Sequence, residues 1–128
     1  MHRFPVRVFY EDTDMAGIVY HANYLKYLER GRSDWVAGLG IDQLAMRQEG
    51  LVFVVRRLEA DFLAAAAFDD RLEVQTEPTS LSGARLVLAQ SVLRGDRPLF
   101  RASVTLVCCT MEGAPVRLPA VLRKALAV

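Results

Sequence analysis

Residues 8–32 read VFYEDTDMAGIVYHANYLKYLERGR and decide the fold of this chain. Before the polar part of this stretch, from Phe4 to Tyr10, apolar residues alternate with others, as in a strand that buries one face. After the polar part, apolar residues return at helical spacing from Asn23 onward. The stretch therefore predicts a strand, a loop and an amphipathic helix in direct succession.

We expect the helix to run from Asn23 to about Gly38, with Asn23 as its N-cap residue. Gly31 lies within its apolar arc, where glycine costs roughly 1 kcal/mol relative to alanine, so the backbone there is expected to press on a sheet. Arg32 also points into the arc, which apolar packing alone does not explain. The apolar side chains of this arc are Tyr24, Leu25, Leu28, Trp35 and Leu39.

Beyond a short second helix between Ile41 and Glu49, the chain has the pattern of strands. Alternating residues and turn residues predict four strands in meander spacing, the last from Leu99 to Thr110. A final short helix is expected to open at Leu118-Pro119. A lone long helix with an antiparallel sheet is an α+β architecture, and we assign one domain to residues 1–128.

The second face of this sheet is also expected to be apolar, which predicts a homo-oligomer that covers it. The residues that we place on it are Val87, Ala89, Phe100, Ala102 and Val104.

Composition narrows the function classes. The chain has 128 residues, 52% of them hydrophobic, and a formal net charge of +1, so it can fill a core and carries no strong field for nucleic acid. The sequence has no pattern of a signal peptide or a membrane span. Adjacent Cys108 and Cys109 are too close for usual disulfide geometry and are expected to be buried in a strand. We expect a cytoplasmic protein with no metal or other cofactor.

The loop holds the candidate chemistry. Asp14 follows the first strand, and His21 comes directly before the helix. Gly17 provides a flexible corner, and the apolar run Ile18-Val19-Tyr20 is expected to bury and to hold the loop against the core. A helix start has unpaired N–H groups and the positive end of the helix dipole. An acyl-transfer site needs these parts, a base or nucleophile beside donors for an oxyanion.

Each of these residues also has a plain structural interpretation. Asp12 and Asp14 could both be turn or cap residues. A lone histidine ahead of a helix, such as His21, is more often structural than catalytic. Tyr10 fits a core position at the strand end as well as it fits a site.

Residues 8–32 resemble the signature of the hotdog-fold acyl-CoA thioesterases. The resemblance is closest to the YbgC type, which is associated with the Tol-Pal system, and the chain is also similar to 4-hydroxybenzoyl-CoA thioesterase. It extends over essentially the whole chain, including the tail from Val116 to Leu126. It implies a hotdog fold, in which a curved antiparallel sheet wraps around one long central helix. It also implies dimers that often pair into tetramers, with active sites at the dimer interface.

The resemblance also implies roles for individual residues. Asp14 matches the catalytic carboxylate, acting as a general base or as a nucleophile. His21 matches the histidine of the YbgC branch, and its backbone N–H is expected to polarise the thioester carbonyl. Tyr10 matches a tyrosine that supports the site, and Gly17 and Tyr20 are expected to contact substrate. Because 4-hydroxybenzoyl-CoA thioesterase lacks histidine at this position, the chain resembles the aliphatic or broad-range branch.

The sequence gives weaker evidence for the residues that bind CoA, the carrier half of the substrate. The phosphates of CoA call for basic residues, and Arg56, Arg57 and Arg85 are the candidates, although each could be an ordinary solvated charge on a strand. Some family members have a basic cluster between the third and fourth strands, where this chain has only Arg85. Acyl-carrier protein, which has an acidic surface, is therefore an alternative carrier.

Three alternatives remain from the sequence. Some hotdog thioesterases place the carboxylate on the central helix, and Glu29 is the residue that would do so here, although we interpret it as a partly buried partner of Arg32. A hotdog dehydratase or hydratase would act on the same thioesters without hydrolysing them. A binding module with the fold would show little turnover.

Overall fold

The computed structural model describes residues 1–126, in which five strands form one antiparallel sheet beside three α-helices. The strands are β1 (His2–Arg7), β2 (Leu51–Phe62), β3 (Arg71–Ser82), β4 (Arg85–Arg94) and β5 (Arg97–Thr110). The helices are α1 (Asn23–Gly38), α2 (Gln43–Gln48) and α3 (Ala120–Leu126), and a 3₁₀ turn covers Tyr10–Asp12. Within residues 1–126, no helix combines the length and the apolar character needed to cross a membrane. The last two residues of the domain predicted over 1–128 lie outside the described residues.

The order of strands in the sheet is β1-β3-β4-β5-β2. The predicted meander is therefore correct for β3, β4 and β5 but wrong for β2, which pairs with β5 at the far edge of the sheet. The segment between β2 and β3, residues 63–70, carries the chain from that edge back across to β3. It crosses beside the loop that precedes α1, where Val19 N–H donates to Ala66 O at 2.9 Å.

Helix α1 covers one face of the sheet, and the main core lies between them. Leu72, Val74 and Thr76 of β3 are buried on this face, and so are Leu86, Leu88 and Gln90 of β4.

The prediction of a second apolar face is wrong for β5. Phe100, Ala102 and Val104 lie directly opposite Val92, Gln90 and Leu88, so they share the face that α1 covers. The outer face instead carries polar residues beside the more exposed Val87 and Ala89. A period-two pattern separates two faces but does not say which of them meets the helix.

The contact between α1 and the sheet is closest at Gly31. A Cβ at this position would lie 2.6 Å from Val74 Cγ1. The expected close approach is thus confirmed, and β3 is the strand that Gly31 meets. The predicted apolar arc needs one change, because Tyr27 is fully buried whereas Leu25 is 43% exposed at its edge.

A buried polar network explains why Arg32 points toward the sheet. Its Nη1 donates to Gln90 Oε1 at 2.9 Å. Gln90 Nε2 in turn donates to Leu28 O at 3.0 Å and to Thr76 Oγ1 at 2.9 Å. Burial lowers the pKa of the Arg32 guanidinium from its usual value. The predicted half-buried pair with Glu29 is wrong, because Glu29 is exposed and forms no salt bridge among residues 1–126.

The remaining elements follow the sequence closely. Helix α2 begins after Asp42, whose Oδ1 accepts hydrogen bonds from the N–H groups of Leu44 and Ala45. Cys108 and Cys109 are buried and free in β5, as predicted, and burial raises the pKa of the Cys108 thiol. Helix α3 begins just after Pro119, so the proline precedes the first helical residue rather than occupying it.

Candidate active site

The candidate site is built on the loop of residues 13–22, which joins the 3₁₀ turn to α1. Asp12 closes the neck of this loop, because its carbonyl accepts the Tyr20 N–H at 2.9 Å and the Asn23 Nδ2 at 2.8 Å. Asn23 is therefore not the N-cap residue that we predicted. It is the first residue of α1, and its side chain ties the helix back to the loop entrance.

Asp14 is a turn residue, as one interpretation predicted, and its carboxylate is also exposed. Its Oδ1 accepts the Ala16 N–H at 2.9 Å, and its carbonyl accepts the Gly17 N–H at 3.0 Å. Gly17 has a φ of +79°, a left-handed conformation that favours glycine, so the predicted corner is confirmed. Within the described chain the second carboxylate oxygen of Asp14 has no hydrogen-bond partner, and the side chain faces solvent. The turn holds the carboxylate in place and leaves one oxygen available.

His21 lies at the other end of the loop, exposed, with its ring 4.6 Å from that of Tyr20 between centroids. Its backbone N–H has no acceptor within residues 1–126. The N–H groups that follow are less free than predicted, since Asn23 N–H already donates to Tyr20 O at 2.8 Å and Leu25 N–H to Ala22 O at 3.2 Å. The N–H groups of His21 and Ala22, neither of which has an acceptor among residues 1–126, therefore stand just ahead of the helix.

The two side chains of the loop ends do not meet within one protomer. Among residues 1–126 no hydrogen bond joins His21 to Asp14. The imidazole instead lies edge-on to the ring of Phe62, with 6.2 Å between centroids.

The loop is held against the core by a single apolar residue. Val19 is buried, whereas Ile18 is 38% and Tyr20 47% exposed, so the prediction that all three bury is wrong for two of them. Alternate residues of this short extended segment point to opposite sides, and only the central one faces inward. Tyr24 adds a second support, because its hydroxyl accepts the Ala66 N–H at 3.1 Å.

Tyr10 lies on the surface rather than in the core. Strand β1 ends at Arg7, so the alternation of the sequence no longer applies at Tyr10, which is 81% exposed and meets the ring of Phe68 edge-on at 6.5 Å. The core alternative for this residue is wrong. The hydroxyl of Tyr10 forms no hydrogen bond within the described residues.

Asp12 is a residue of this site that the sequence did not single out for its side chain. It is buried, and its Oδ2 accepts the Phe9 N–H at 2.8 Å. The fully buried Tyr27 hydroxyl nearby has no hydrogen-bond partner among residues 1–126. Burial, followed by the negative charge of Asp12, raises the pKa of Tyr27 above its usual value. The spacing of two aspartates resembled a pair of turn residues, and only the tertiary structure separates a buried one from an exposed one.

An apolar cavity of about 330 Å³ opens beside the loop. Ile18 and His21 line it from the loop, Tyr24 from α1, and Phe62 from the end of β2. The residue that carries this free N–H, His21, thus borders a space for an apolar group.

The arginines predicted to contact CoA do not line this cavity. All three are exposed, and Arg57 forms an ion pair with Glu59 on the outer face. Arg56 occupies the bulge between Val55 and Arg57. Arg85 begins β4, seven residues before Val92, or roughly 23 Å along the strand from the sheet end that holds Phe62. A single protomer therefore does not bring Arg85 to the loop.

Comparison with known proteins places this chain in a family. The model of the Thioesterase-like superfamily matches residues 8–126. The chain belongs to this superfamily. It is 41% identical to the acyl-CoA thioester hydrolase YbgC of Escherichia coli O6:H1, over 85% of this chain and 81% of that protein. It is also 41% identical to the acyl-CoA thioesterase YbgC of Haemophilus influenzae, over 91% of this chain and 87% of that protein.

A solved structure agrees with these relatives. The crystal structure of the probable thioesterase from Bartonella henselae superimposes with a TM-score of 0.89 at 40% identity, covering 92% of this chain and 98% of that one. The predicted α+β hotdog fold and the resemblance to YbgC-type thioesterases are confirmed. So is the predicted class of enzyme, a thioester hydrolase.

Proposed function

We propose that this chain hydrolyses the thioester of an acyl-CoA to a free acid and CoA, with Asp14 and the backbone N–H of His21 as the reacting pair. The observation that carries the proposal is the loop itself. It presents a carboxylate oxygen without a partner at one end and an N–H without an acceptor at the other, beside an apolar cavity. The YbgC relatives, described as acting on acyl-CoA, support the substrate class.

In the proposed reaction the carbonyl oxygen of the thioester accepts the His21 N–H, which stabilises the negative charge that develops on it. Removal of one such donor typically costs roughly 3–4 kcal/mol of barrier. As a general base, Asp14 takes a proton from water, the hydroxide oxygen bonds to the carbonyl carbon, and the C–S bond breaks. The thiolate of CoA leaves and is protonated, and the acid is released.

As a nucleophile, Asp14 would itself bond to the carbonyl carbon and expel the thiolate. The resulting mixed anhydride would then be cleaved by water to regenerate the carboxylate. The exposed Asp14 oxygen without a partner suits either role. A burst of thiol equal to the number of sites, ahead of acid release, would identify the nucleophilic route.

Other residues have supporting roles in the proposal. The His21 side chain orients water, and Tyr10 supports the site from the exposed rim. Gly17 and Tyr20 contact the substrate near the loop.

The arginines need a second subunit to reach the same substrate, since Arg85 lies at the opposite end of its own sheet. Arg56 and Arg57 on β2 and Arg85 on β4 are proposed to bind the phosphates of CoA, or alternatively the acidic surface of acyl-carrier protein.

A homo-oligomer is therefore part of the proposal, as a dimer that can pair into a tetramer. Strand β2 is an edge of the sheet, and its Val54 and Val55 are 42% and 49% exposed. An exposed apolar edge strand is a template for pairing with another copy. We further propose that residues 1–128 act as one hotdog domain in the cytoplasm, without a metal or other cofactor.

The test is thiol release from acyl-CoA by wild type and by Asp14→Asn. We expect the variant to lose about 10²–10⁴-fold in kcat. It should keep its fold, because the asparagine oxygen can still accept the Ala16 N–H. Wild type that binds acyl-CoA but releases no thiol would exclude a thioesterase and favour a hotdog dehydratase or a binding module.

Glu29→Gln is the matched control for this test. Glu29 is exposed on α1 and has no salt bridge among the described residues, so near wild-type turnover is expected. Activity kept in Asp14→Asn and lost in Glu29→Gln would move the catalytic carboxylate to the helix.

A further inference from the structure

The lining and volume of the cavity beside His21 indicate which acyl groups could bind there. Besides the residues named above, Ala64 and Ala65 form the wall that follows the end of β2. Both belong to the run of four alanines at 64–67, in which only Ala66 is fully buried. The loop that holds the reacting groups and the alanine run thus border the same space.

Aromatic rings that contact one another form part of the wall of this cavity. Tyr24 stacks on Phe100 at 5.1 Å between ring centroids, and Phe62 meets the Tyr24 ring edge-on at 5.9 Å. Apart from the imidazole of His21, no acidic or basic side chain lines the cavity within residues 1–126. Phe62 is nevertheless 56% exposed and its neighbour Leu63 49%, a concentration of apolar surface that an apolar ligand would cover.

We propose that this cavity is the acyl subsite and that it selects an uncharged apolar acyl group of about 6–12 carbon atoms, with Ala64 and Ala65 setting the limit of length. The inference rests on the proposed function, since it assigns the direction of the acyl group from a carbonyl held at His21. The length follows from volume. An apolar cavity of about 150 Å³ holds benzene, so a cavity of about 330 Å³ holds up to roughly twice that number of carbons.

The alanines set the limit because a larger side chain in either place would occupy the cavity. Leucine adds three carbon atoms to alanine, about the volume of three methylenes of the substrate. Each methylene that leaves water contributes about fourfold to binding, so a chain should gain kcat/KM with length until the cavity is full. A charged acyl group such as succinyl would lose its hydration against a largely apolar wall, where, among the described residues, His21 alone could offer a counter-charge, and it should be disfavoured.

The first measurement is kcat/KM of the intact wild-type protein for acetyl-, hexanoyl-, octanoyl-, dodecanoyl-, benzoyl- and succinyl-CoA. We expect a rise of about fourfold per methylene from hexanoyl to octanoyl, with acetyl and succinyl at least tenfold below octanoyl. The benzoyl and octanoyl values distinguish an aryl from an aliphatic occupant. Equal values for acetyl, octanoyl and succinyl would overturn the proposal.

The second measurement uses Ala65→Leu, with Ala67→Leu as the matched control, because Ala67 is an exposed alanine of the same run that does not line the cavity. Ala65→Leu should lower kcat/KM at least tenfold for dodecanoyl-CoA, which no longer fits, and leave acetyl-CoA and hexanoyl-CoA within about twofold. Phe62→Ala, which enlarges the cavity, should shift the optimum toward dodecanoyl. Ala67→Leu should leave the profile unchanged.

These outcomes separate the subsite from the proposed function. An equal loss for every chain length in Ala65→Leu would assign the cavity to the pantetheine arm of CoA and overturn the proposal. If Ala65→Leu does not fold, the shift in Phe62→Ala decides it. Wild type without thiol release would refute the thioesterase. Binding of octanoyl- against acetyl-CoA to Asp14→Asn would then test the cavity alone, and equal affinities would overturn it.

Discussion

The loop before α1 and the seam, by which we mean the contact between α1 and the sheet, differ in how they treat polar side chains. In the seam, Arg32, Gln90 and Thr76 bury their polar atoms and satisfy one another across long stretches of chain. In the loop, the backbone makes most of the hydrogen bonds, and the side chains of Asp14 and His21 remain exposed. The seam therefore positions the helix start, and the loop keeps the groups that we propose to react exposed beside it.

The largest effect on stability is expected in the seam, from Gln90→Leu. The substitution leaves Arg32 Nη1 and Thr76 Oγ1 buried without their partner, at a cost of about 3 kcal/mol of unfolding free energy. Denaturant titration would measure it. Gln48→Leu is the control, at an exposed glutamine of α2 without a side-chain hydrogen bond among the described residues, and it should change stability by under about 0.5 kcal/mol. Equal effects of the two substitutions would mean that the network does not stabilise the seam.

The next effect concerns the closest approach in the seam. Gly31→Ala should destabilise by about 1–2 kcal/mol, because the new Cβ would lie 2.6 Å from Val74 Cγ1 and the strain exceeds the gain in helix propensity. Gly38→Ala is the control in the same helix, where a Cβ meets nothing within 4 Å, and it should stabilise by up to about 1 kcal/mol. Thermal unfolding of both variants would show opposite shifts. A stabilised Gly31→Ala would contradict the close approach.

In the loop, Asn23→Ala should cost about 1 kcal/mol of stability and about tenfold in kcat/KM, since the tie to Asp12 O that holds the loop neck is lost. Asn23→Asp discriminates between the two roles considered for this residue. An N-cap residue would tolerate aspartate, which is favourable at a helix start. The hydrogen bond from Asn23 to the Asp12 carbonyl would be lost with aspartate, because a carboxylate cannot donate to a carbonyl. We therefore expect Asn23→Asp to be at least as impaired as Asn23→Ala.

The smallest effect is expected beside the loop, at Asp70. The hydrogen bond from the Ala67 N–H, followed by the interaction with Arg94, lowers the pKa of the Asp70 carboxyl. A carboxyl whose folded pKa lies below its unfolded value contributes stability that is full above the unfolded pKa of about 3.9 and is lost as pH falls through the folded pKa. Asp70→Asn should thus be less stable than wild type by under about 1 kcal/mol at pH 7. The difference should vanish in acid, and one that persists unchanged at low pH would exclude the charge as its cause.

Local sequence patterns were sufficient to predict most of the helices and strands. The helix from Asn23 to Gly38 and the last strand to Thr110 both follow from apolar spacing, because side-chain direction repeats with a fixed period in each structure. Gly31 was also informative, since a glycine inside an apolar arc has few reasons to be there other than a close approach. The resemblance carried by residues 8–32 predicted the family and the class of reaction, which the comparisons confirm.

The misassignments share one cause, which is contact between residues far apart in the chain. The helix-facing side of β5, the pairing of β2 with β5 and the partner of Arg32 are all decided by neighbours that no local pattern contains. The core alternative for Tyr10 failed because the strand ends three residues earlier than the alternation suggests.

By itself, the sequence determined which helices and strands form and which loop carries a carboxylate and a histidine. Both features depend only on residues that are close together in the chain. The tertiary structure alone decided that Asp12 is buried while Asp14 is exposed, that Asn23 ties the loop neck, and that an apolar cavity opens beside His21. The physical reason is that burial and cavity shape depend on which segments pack together. Here the alanine run of residues 64–67 meets the loop because it belongs to the segment that crosses from β2 to β3.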